Sequence, residues 1–463
     1  MGIPECPGCR ALTQRVAELE AIVRELQARL GTNSGNSSVP PSANPVGAPK
    51  PVQKKPTGRK PGGQPGHAPH LKQMLPRERI DELVRFVPSH CERCQTALPK
   101  EVRAIDPPPT RHQTAELPKL QAIITEYQGH FRTCPDCGHV THAPIPEAIR
   151  ALHCGDRLTA TITYLTGRHR LPKRGAEEFT EDVFGVPISL GTIAALEQEV
   201  SAALQPAHAE VVQAVREAPV KNVDETSWKQ AGGKCWLWVA ATTAVAAFII
   251  HGQRGAFGLA ALLGHTIHGI LCSDRWSVYD LWPLFQRQVC WAHLKRDFQK
   301  CVDRGGASEP IGRAGLRIVR RIFKGWHLFR GGGLTRQQLQ LRLSPVARDL
   351  RKLLDAGYSC ADSKTANFCA NLLALEPALW RFVVTEGVEP TNNHAERVLR
   401  HGVIWRKTSF GCHSAAGCRY VERLLTTVQT LRLQQRNVLD FLAETVRSHR
   451  SRQIAPSLLP AAK

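Results

Sequence analysis

Three acidic residues stand where a metal-dependent chemistry at phosphorus would need them: Asp224 in KNVDETSW, Asp274 in ILCSDRWSVYD and Glu396 in TNNHAERVLR. Carboxylates carried on separate elements can converge on two Mg²⁺ ions, with Mn²⁺ as the substitute. The ions then activate an attacking oxygen and stabilise a leaving one. Each residue also has a purely structural reading. Asp224 can end a strand, Asp274 can start a turn, and Asn393 with Glu396 can form a capping box that opens a helix. A second cluster has metal-ligand spacing. Cys91-x-x-Cys94 and Cys134-x-x-Cys137, with 39 residues between them, offer four thiolates to a tetrahedral Zn²⁺. Four thiolates leave no open position, so that zinc would be structural. Cys6-x-x-Cys9 is a lone pair and a weaker signal, and His139 and His142 read as surface residues.

The elements that must position the carboxylates are legible in outline. VKNVDETSW, CWLWVAAT, AVAAFIIH and HGILCSD read as four short strands, the first three joined as a meander with Thr242-Thr243 at a hairpin turn. A helix is expected around Trp276–Phe285, a short strand at Gln288–Trp291 and a helix around Ala292–Val302, before a wholly helical stretch at about 303–388. Glu396 then opens a helix dense in arginine, and a last helix at about 415–448 ends in a basic, frayed tail. This order of meander, Asp, strand, Asp, spacer and helix-borne Glu is what a ribonuclease-H-like nuclease core requires. There the first and fourth strands lie side by side, and a helix packed on the sheet brings the third carboxylate.

Charge points to the partner. The chain has 463 residues, 61 Lys and Arg against 40 Asp and Glu, and a net charge of +21, which favours a polyanion. Arg397, Arg400, Arg406 and Lys407 follow Glu396 closely and are expected at DNA, with Glu422 the acid among the later arginines. Residues 31–76 contain ten prolines and no acid; they read as a tether whose Lys54, Lys55, Arg59 and Lys60 lie along phosphates or in a minor groove. Aromatic residues are only 6% of the chain, too few for a base-stacking RNA module. Apolar runs reach 16 residues at Cys235–Ile250, short for a bilayer span. With no signal peptide and six of fifteen cysteines in Cys-x-x-Cys pairs, a cytoplasmic protein without membrane contact is expected.

The resulting plan is multidomain. Leu12, Val16, Leu19, Val23, Leu26 and Leu30 form a heptad seam over residues 1–30, a coiled coil suited to a parallel homodimer. The linker spans 31–76, the zinc-binding module 77–146, and a helical DNA-binding region 147–217, in which FGVPISLGTIAAL has the cadence of a helix-turn-helix. An α/β ribonuclease-H-like catalytic core fills 218–400 with the helical insertion, and a basic helix and tail fill 401–463.

Taken in order, the leucine seam, NSGNSSVPPS, GRKPGGQPGH, the paired Cys-x-x-Cys module, YLTGRHRLP, FGVPISLGT, DET, SD, TNNHAERVLR and RKTSFG resemble the transposases of the insertion sequence 66 family over nearly the whole chain. The resemblance implies a DDE-type transposase with Asp224, Asp274 and Glu396 as its metal-binding triad. It would bind terminal inverted repeats, cut DNA with Mg²⁺, and transfer the freed 3′ end to target DNA, with small accessory proteins of the element as further partners. Cys290-x-x-His293 looks like a signature that such families carry after the second Asp, read here as a buried structural pair. Two features depart from the pattern. Arg275-Trp276 replace the usual Gly-Tyr, so an arginine stands beside a metal carboxylate, and His394 is read as a helix-surface residue. The alternatives are an inactive transposase-derived DNA-binding protein and a structure-selective nuclease on the same fold.

Overall fold

The computed structural model describes residues 14–16, 18–20, 23 and 74–460. It divides into two compact units, which meet in the chain between Gln121 and Ala122. The first Cys-x-x-Cys pair therefore belongs to one unit and the second pair to the other. Lys54, Lys55, Arg59, Lys60, Cys6 and Cys9 lie outside the described residues, as do Leu12, Leu26 and Leu30 of the heptad seam.

After the short helix Glu147–Arg150, the helices α1 (Asp156–Gly167), α2 (Lys173–Phe184), α3 (Leu190–Ala203) and α4 (Gln205–Glu217) lead into the sheet. Gly185 ends α2 in the left-handed region, and Ser189 Oγ accepts from Thr192 N to start α3, so a tight turn joins them. Ile162, Ala176, Ile188, Ile193 and Leu196 close a small core between α1, α2 and α3. The helix-turn-helix cadence is thus a real pair of helices. Its second helix, LGTIAALEQEVSAA, carries no Lys or Arg.

A short antiparallel pair, β1 (Phe131–Thr133) and β2 (Val140–His142), precedes these helices. The sheet is built from β3 (Val220–Gln230), β4 (Gly233–Ala241), β5 (Ala246–His251), β6 (Ile270–Ser273) and β7 (Arg287–Val289), in the spatial order β5-β4-β3-β6-β7. The first three strands pair antiparallel as a meander; β6 joins β3 in parallel and β7 joins β6 in parallel. The near-continuous apolar runs of β4 and β5 suit strands covered on both faces. Leu237, Trp238, Val239, Phe248 and their neighbours form the main core with α4, the helix α5 (Ala256–Leu263) and the carboxyl-terminal helices. The stretch expected as a helix at Trp276–Phe285 is instead two 3₁₀ turns, Ser277–Leu281 and Leu284–Gln286, interrupted at Trp282 and Pro283. Proline there fixes an extended backbone and halts the helix.

The insertion is helical, as its sequence implies: α6 (Trp291–Arg304), α7 (Ser308–Arg330), α8 (Arg336–Tyr358) and α9 (Ser363–Ala374), followed by the short helices Glu376–Leu379 and Arg381–Val384. Leu339, Leu343, Val346, Leu350 and Leu354 recur at helical spacing along α8 and share one core with Ile318, Val319, Ile322 and Trp326 of α7. At Gly315 a β-carbon would lie 2.1 Å from Phe298, so only glycine lets α6 and α7 approach this closely.

Three helices complete the chain: α10 (Asn393–Ser409), α11 (Ala415–Leu433) and α12 (Val438–Arg450). Helix α10 runs across the boundary that the sequence suggested at residue 400. The single final helix expected at 415–448 is two helices, because Gln435 adopts a φ of 58° and Asn437 caps a new start. The tail is not frayed. Leu458 is buried, and its N–H donates to Glu210 Oε2 at 2.9 Å. Nor is α11 a solvated basic helix. Thr426 and Thr430 accept from Phe248 N and Ala246 N at 2.9 and 3.0 Å, and Glu422 accepts from Ile250 N. Side chains four residues apart on one helix thereby satisfy the outward N–H groups of β5 and cover the sheet edge.

Candidate metal centre and nucleic-acid interface

The register of β3 and β6 fixes the first two carboxylates. Their last parallel pair is Asn222 with Cys272. Two residues onward in each lie Asp224, inside β3 where the longer strand continues past the end of β6, and Asp274, just beyond the last residue of β6, so the two acids stand at the same level on adjacent parallel strands. Arg287 of β7 supports this end, donating from Nη2 to Asp274 O at 3.3 Å, and Asp274 Oδ1 accepts from Trp276 N at 3.0 Å.

Glu396 arrives on α10, which packs against β3 and β4. A residue that the sequence reading passed over sets its height: Asn392, buried at the helix N-cap. Asn392 Nδ2 donates to Val223 O at 2.7 Å, its Oδ1 accepts from Asn222 at 3.0 Å, and its N–H donates to Cys290 Sγ at 3.1 Å. One amide thus ties α10, β3 and the start of α6 together. The doubled asparagine ahead of a helix was its only signal. The capping-box reading of Glu396 fails, since no side-chain cap bond forms at this helix start. Instead Glu396 Oε1 is buried without a hydrogen-bond partner and faces His293 Nδ1, equally unpartnered, at 3.5 Å. Cys290, His293 and Glu396 bring their ligand atoms within 4.8 Å of one another. Cys290 is buried and His293 only half-buried, so the pair expected to be wholly buried is partly open, and it adjoins Glu396.

Electrostatics show the three acids as neighbours. Burial pushes the Asp224 carboxyl well above the usual carboxylate range, the adjacent Glu225 adds to this, and Glu396 and Asp274 push it further. Burial lowers the His293 pKa while Glu396 and Asp274 oppose the fall. Among the described residues no Lys or Arg pairs with Asp224, Asp274 or Glu396. The contrast with Glu225 is direct: it accepts from Arg254 at 2.7 Å and from the Tyr279 hydroxyl at 2.6 Å. An unbalanced trio of carboxylates, one with an orphaned buried oxygen, fits a divalent cation and is costly without one.

The sequence departures also resolve. Arg275 turns away from the acids: its Nε donates to Asp297 Oδ2 at 2.7 Å and its Nη1 to Asn371 at 3.2 Å, under the Phe368 ring. His394 is no free surface residue, because its Nε2 meets Thr242 O at 2.7 Å in the β4–β5 turn. Of the basic residues expected at DNA, Arg397, Arg400 and Lys407 are exposed on α10. Arg406 points inward, its Nη1 donating to Thr226 Oγ1 at 2.9 Å and Ser227 O at 2.8 Å, so it holds α10 to β3.

A family model described as the IS66 family of transposases matches residues 152–420, more than half of the chain, and takes in all three carboxylates. The chain belongs to the IS66 transposase family. That family implies a divalent metal such as Mg²⁺. A second match, to a family of unknown function (DUF6444), covers residues 8–73 of this transposase-family chain. It is also similar to the uncharacterized protein y4qI of Sinorhizobium fredii, 26% identical over 93% of this chain and 78% of that protein. The uncharacterized protein y4hP of the same organism is 25% identical over 72% of this chain and 66% of its own length.

The two cysteine pairs are built alike, each within its own unit. Cys91 N donates to Thr96 O and Gln95 N to Cys91 O; Cys134 N donates to His139 O and Gly138 N to Cys134 O. The residue four places after each first cysteine, Gln95 or Gly138, has a φ of 61° or 70°. Hydrogen bonds from Thr96 lower the Cys94 pKa, and backbone N–H groups of Cys137 and Asp136 lower that of Cys134. Thiols biased toward thiolate on matched turns fit a zinc knuckle. Among the described residues no helix is long and apolar enough to cross a membrane.

Proposed function

We propose that this chain is a DNA transposase with a ribonuclease-H-like catalytic core. It binds terminal inverted repeats, cuts DNA at the element ends and transfers the freed strand to a target. What supports this reading is that Asp224 and Asp274 stand on adjacent parallel strands of a sheet ordered β5-β4-β3-β6-β7, with Glu396 on the helix packed against β3, near enough for Glu396 and Asp274 to raise the Asp224 pKa and without a basic partner among the described residues. Strand order and helix position agree with the arrangement expected for such a core.

A divalent ion held by the three carboxylates, Mg²⁺ or Mn²⁺, supplies Lewis acidity for attack at phosphorus. The protein's own part is positioning. Arg287 and the Trp276 N–H hold Asp274, the Asn392 clamp sets α10, and His293 faces Glu396 Oε1 and orients its carboxylate. Arg397, Arg400 and Lys407 flank this edge and take backbone phosphates. No protein nucleophile is required, because water and then a DNA 3′-hydroxyl do the attacking. Cys91, Cys94, Cys134 and Cys137 hold a structural Zn²⁺. The described seam residues Val16, Leu19 and Val23 are helical and half exposed, which supports a homodimer able to pair two ends. Small accessory proteins of the element are further partners.

The test is cleavage of a plasmid carrying the DNA that flanks this gene. Asp224→Asn is expected to reduce Mg²⁺-dependent cutting by about 1,000-fold or more while leaving binding intact. Unchanged cutting would overturn the triad, and cutting of branched DNA without element ends would favour a structure-selective nuclease.

A further inference from the structure

A second site of unbalanced charge, opposite in sign, lies beside the loop that joins α1 to α2. Arg168 and Arg170 stand on that loop, Arg400 and His401 on α10, and Arg432 on α11. Arg168 Nη1 donates to His401 Nδ1 at 2.8 Å, while its buried Nε has no partner. Arg432 Nη2 donates to the Tyr164 hydroxyl at 2.6 Å. Neither partner carries negative charge. Among the described residues none of Arg168, Arg170, Arg400 and Arg432 forms an ion pair with a carboxylate. Nearby Arg157, Arg447 and Arg450 do so, with Asp440, Asp156 and Glu199.

The arrangement is held rigidly. A β-carbon at Gly167 would lie 1.8 Å from Leu424, so the loop is seated hard against α11. Arg170 has a φ of 58°, a left-handed conformation that a long side chain adopts at a cost. The positive field is strong enough to read on the histidine. Burial first, then Arg168, Arg170 and Arg400, push the His401 pKa down to about 4, so it stays a neutral acceptor. The cleft lined by Arg168, Arg170, His401 and Trp405 holds only about 10 Å³, room for a water and not for a nucleotide. What suits it is an anion resting on its rim.

We propose that Arg168, Arg170, Arg400 and Arg432, gathered around His401, form a cradle for a backbone phosphate of DNA. This rests on the reading of the carboxylates as the cutting site. Along α10, His401 is five residues from Glu396, about 7.5 Å of helix rise and roughly two phosphate steps of one strand at ~3.4 Å each. Five residues also turn about 140° around the helix, so the cradle and Glu396 face different sides of α10 and would meet different stretches of DNA. The cradle also gives the helical region a basic surface that α3, lacking Lys and Arg, does not provide.

Binding of the full chain to a mixed-sequence duplex of about 40 base pairs, followed by fluorescence anisotropy in buffer without Mg²⁺ or Mn²⁺ and without chelator, tests this without any cleavage. Arg170→Ala and Arg168→Ala should each weaken binding several-fold and reduce the slope of log K against log salt by about one. Arg157→Ala, whose arginine is paired with Asp440, should leave the slope alone. Circular dichroism of each variant identifies misfolding; should Arg168→Ala misfold, Arg170→Ala and Arg432→Gln carry the test. Folded variants with wild-type slope and affinity would overturn the cradle, even if Asp224-dependent cutting stands. A loss equal to that of Arg157→Ala would overturn it too. If instead cutting proves independent of Asp224 while the slopes fall as expected, the cutting site is misassigned and the phosphate cradle remains.

Discussion

The sheet core and the cysteine-pair segment solve the same problem with opposite means. In the sheet, Leu237, Val239 and Phe248 are fully buried, and even the free edge of β5 is covered by side chains of α11. Among the described residues 74–146 not one is buried. Phe86, Ile105 and Ile123 are 94%, 80% and 96% exposed, and regular strand structure is limited to Phe131–Thr133 and Val140–His142. Apolar burial is the main force that holds a fold together, so the second region must draw its stability from elsewhere. Matched turns with acidified thiols point to metal, and exposed apolar side chains point to a partner surface. On the proposed reading, the packed region carries the chemistry, and the cysteine-pair segment owes its order to metal and a partner.

Removing zinc should therefore break the comparison most violently. Structural zinc contributes roughly 10–16 kcal/mol in small sites. A chelator, or Cys134→Ser, is expected to make residues 74–146 the first target of limited proteolysis while the sheet core melts as before. If both regions lose protection together, the two do not stand on separate supports. The converse change is Leu237→Ala in the middle of β4, expected to cost about 2–5 kcal/mol with zinc content unchanged, read by chemical denaturation and metal analysis.

A smaller effect sharpens the account of the carboxylates. Asp224 has a raised pKa in the folded chain, so between its ordinary value and the raised one the folded state holds more protons than the unfolded state. Its contribution to stability is then greatest at low pH and falls as pH rises through the folded value. In metal-free buffer near neutral pH, Asp224→Asn should raise the melting temperature by about 2 °C and flatten this pH dependence. Mg²⁺ should stabilise the wild type and not the variant. A lower melting temperature for the variant would mean that the carboxylate is well accommodated without metal.

Much of this was legible in the chain. The apolar runs of β4 and β5, an acid within β3 and another just after β6, and the leucine stripe of α8 follow from local pattern and burial. What escaped was long-range pairing between polar side chains. Asn392 draws no reading of its own, yet its side chain reaches β3 and its backbone N–H reaches Cys290. Arg406 reads as a cation for DNA, yet it is bonded to Thr226 and Ser227. Glu422 reads only as an acid among arginines, Thr426 and Thr430 draw no reading, and their role exists only once β5 lies beside them. Arg275 reads as a threat to the metal site, and only the position of Asp297 on α6 shows that it is turned away.

The central claim is that Asp224, Asp274 and Glu396 act as one cation site. Electron paramagnetic resonance of bound Mn²⁺ tests it most directly, using the full chain with its zinc retained and comparing wild type with Asp224→Asn, Asp274→Asn and Glu396→Gln. The account predicts Mn²⁺ binding in the wild type and a marked loss in each of the three variants. Equal Mn²⁺ binding by all four folded proteins would contradict it.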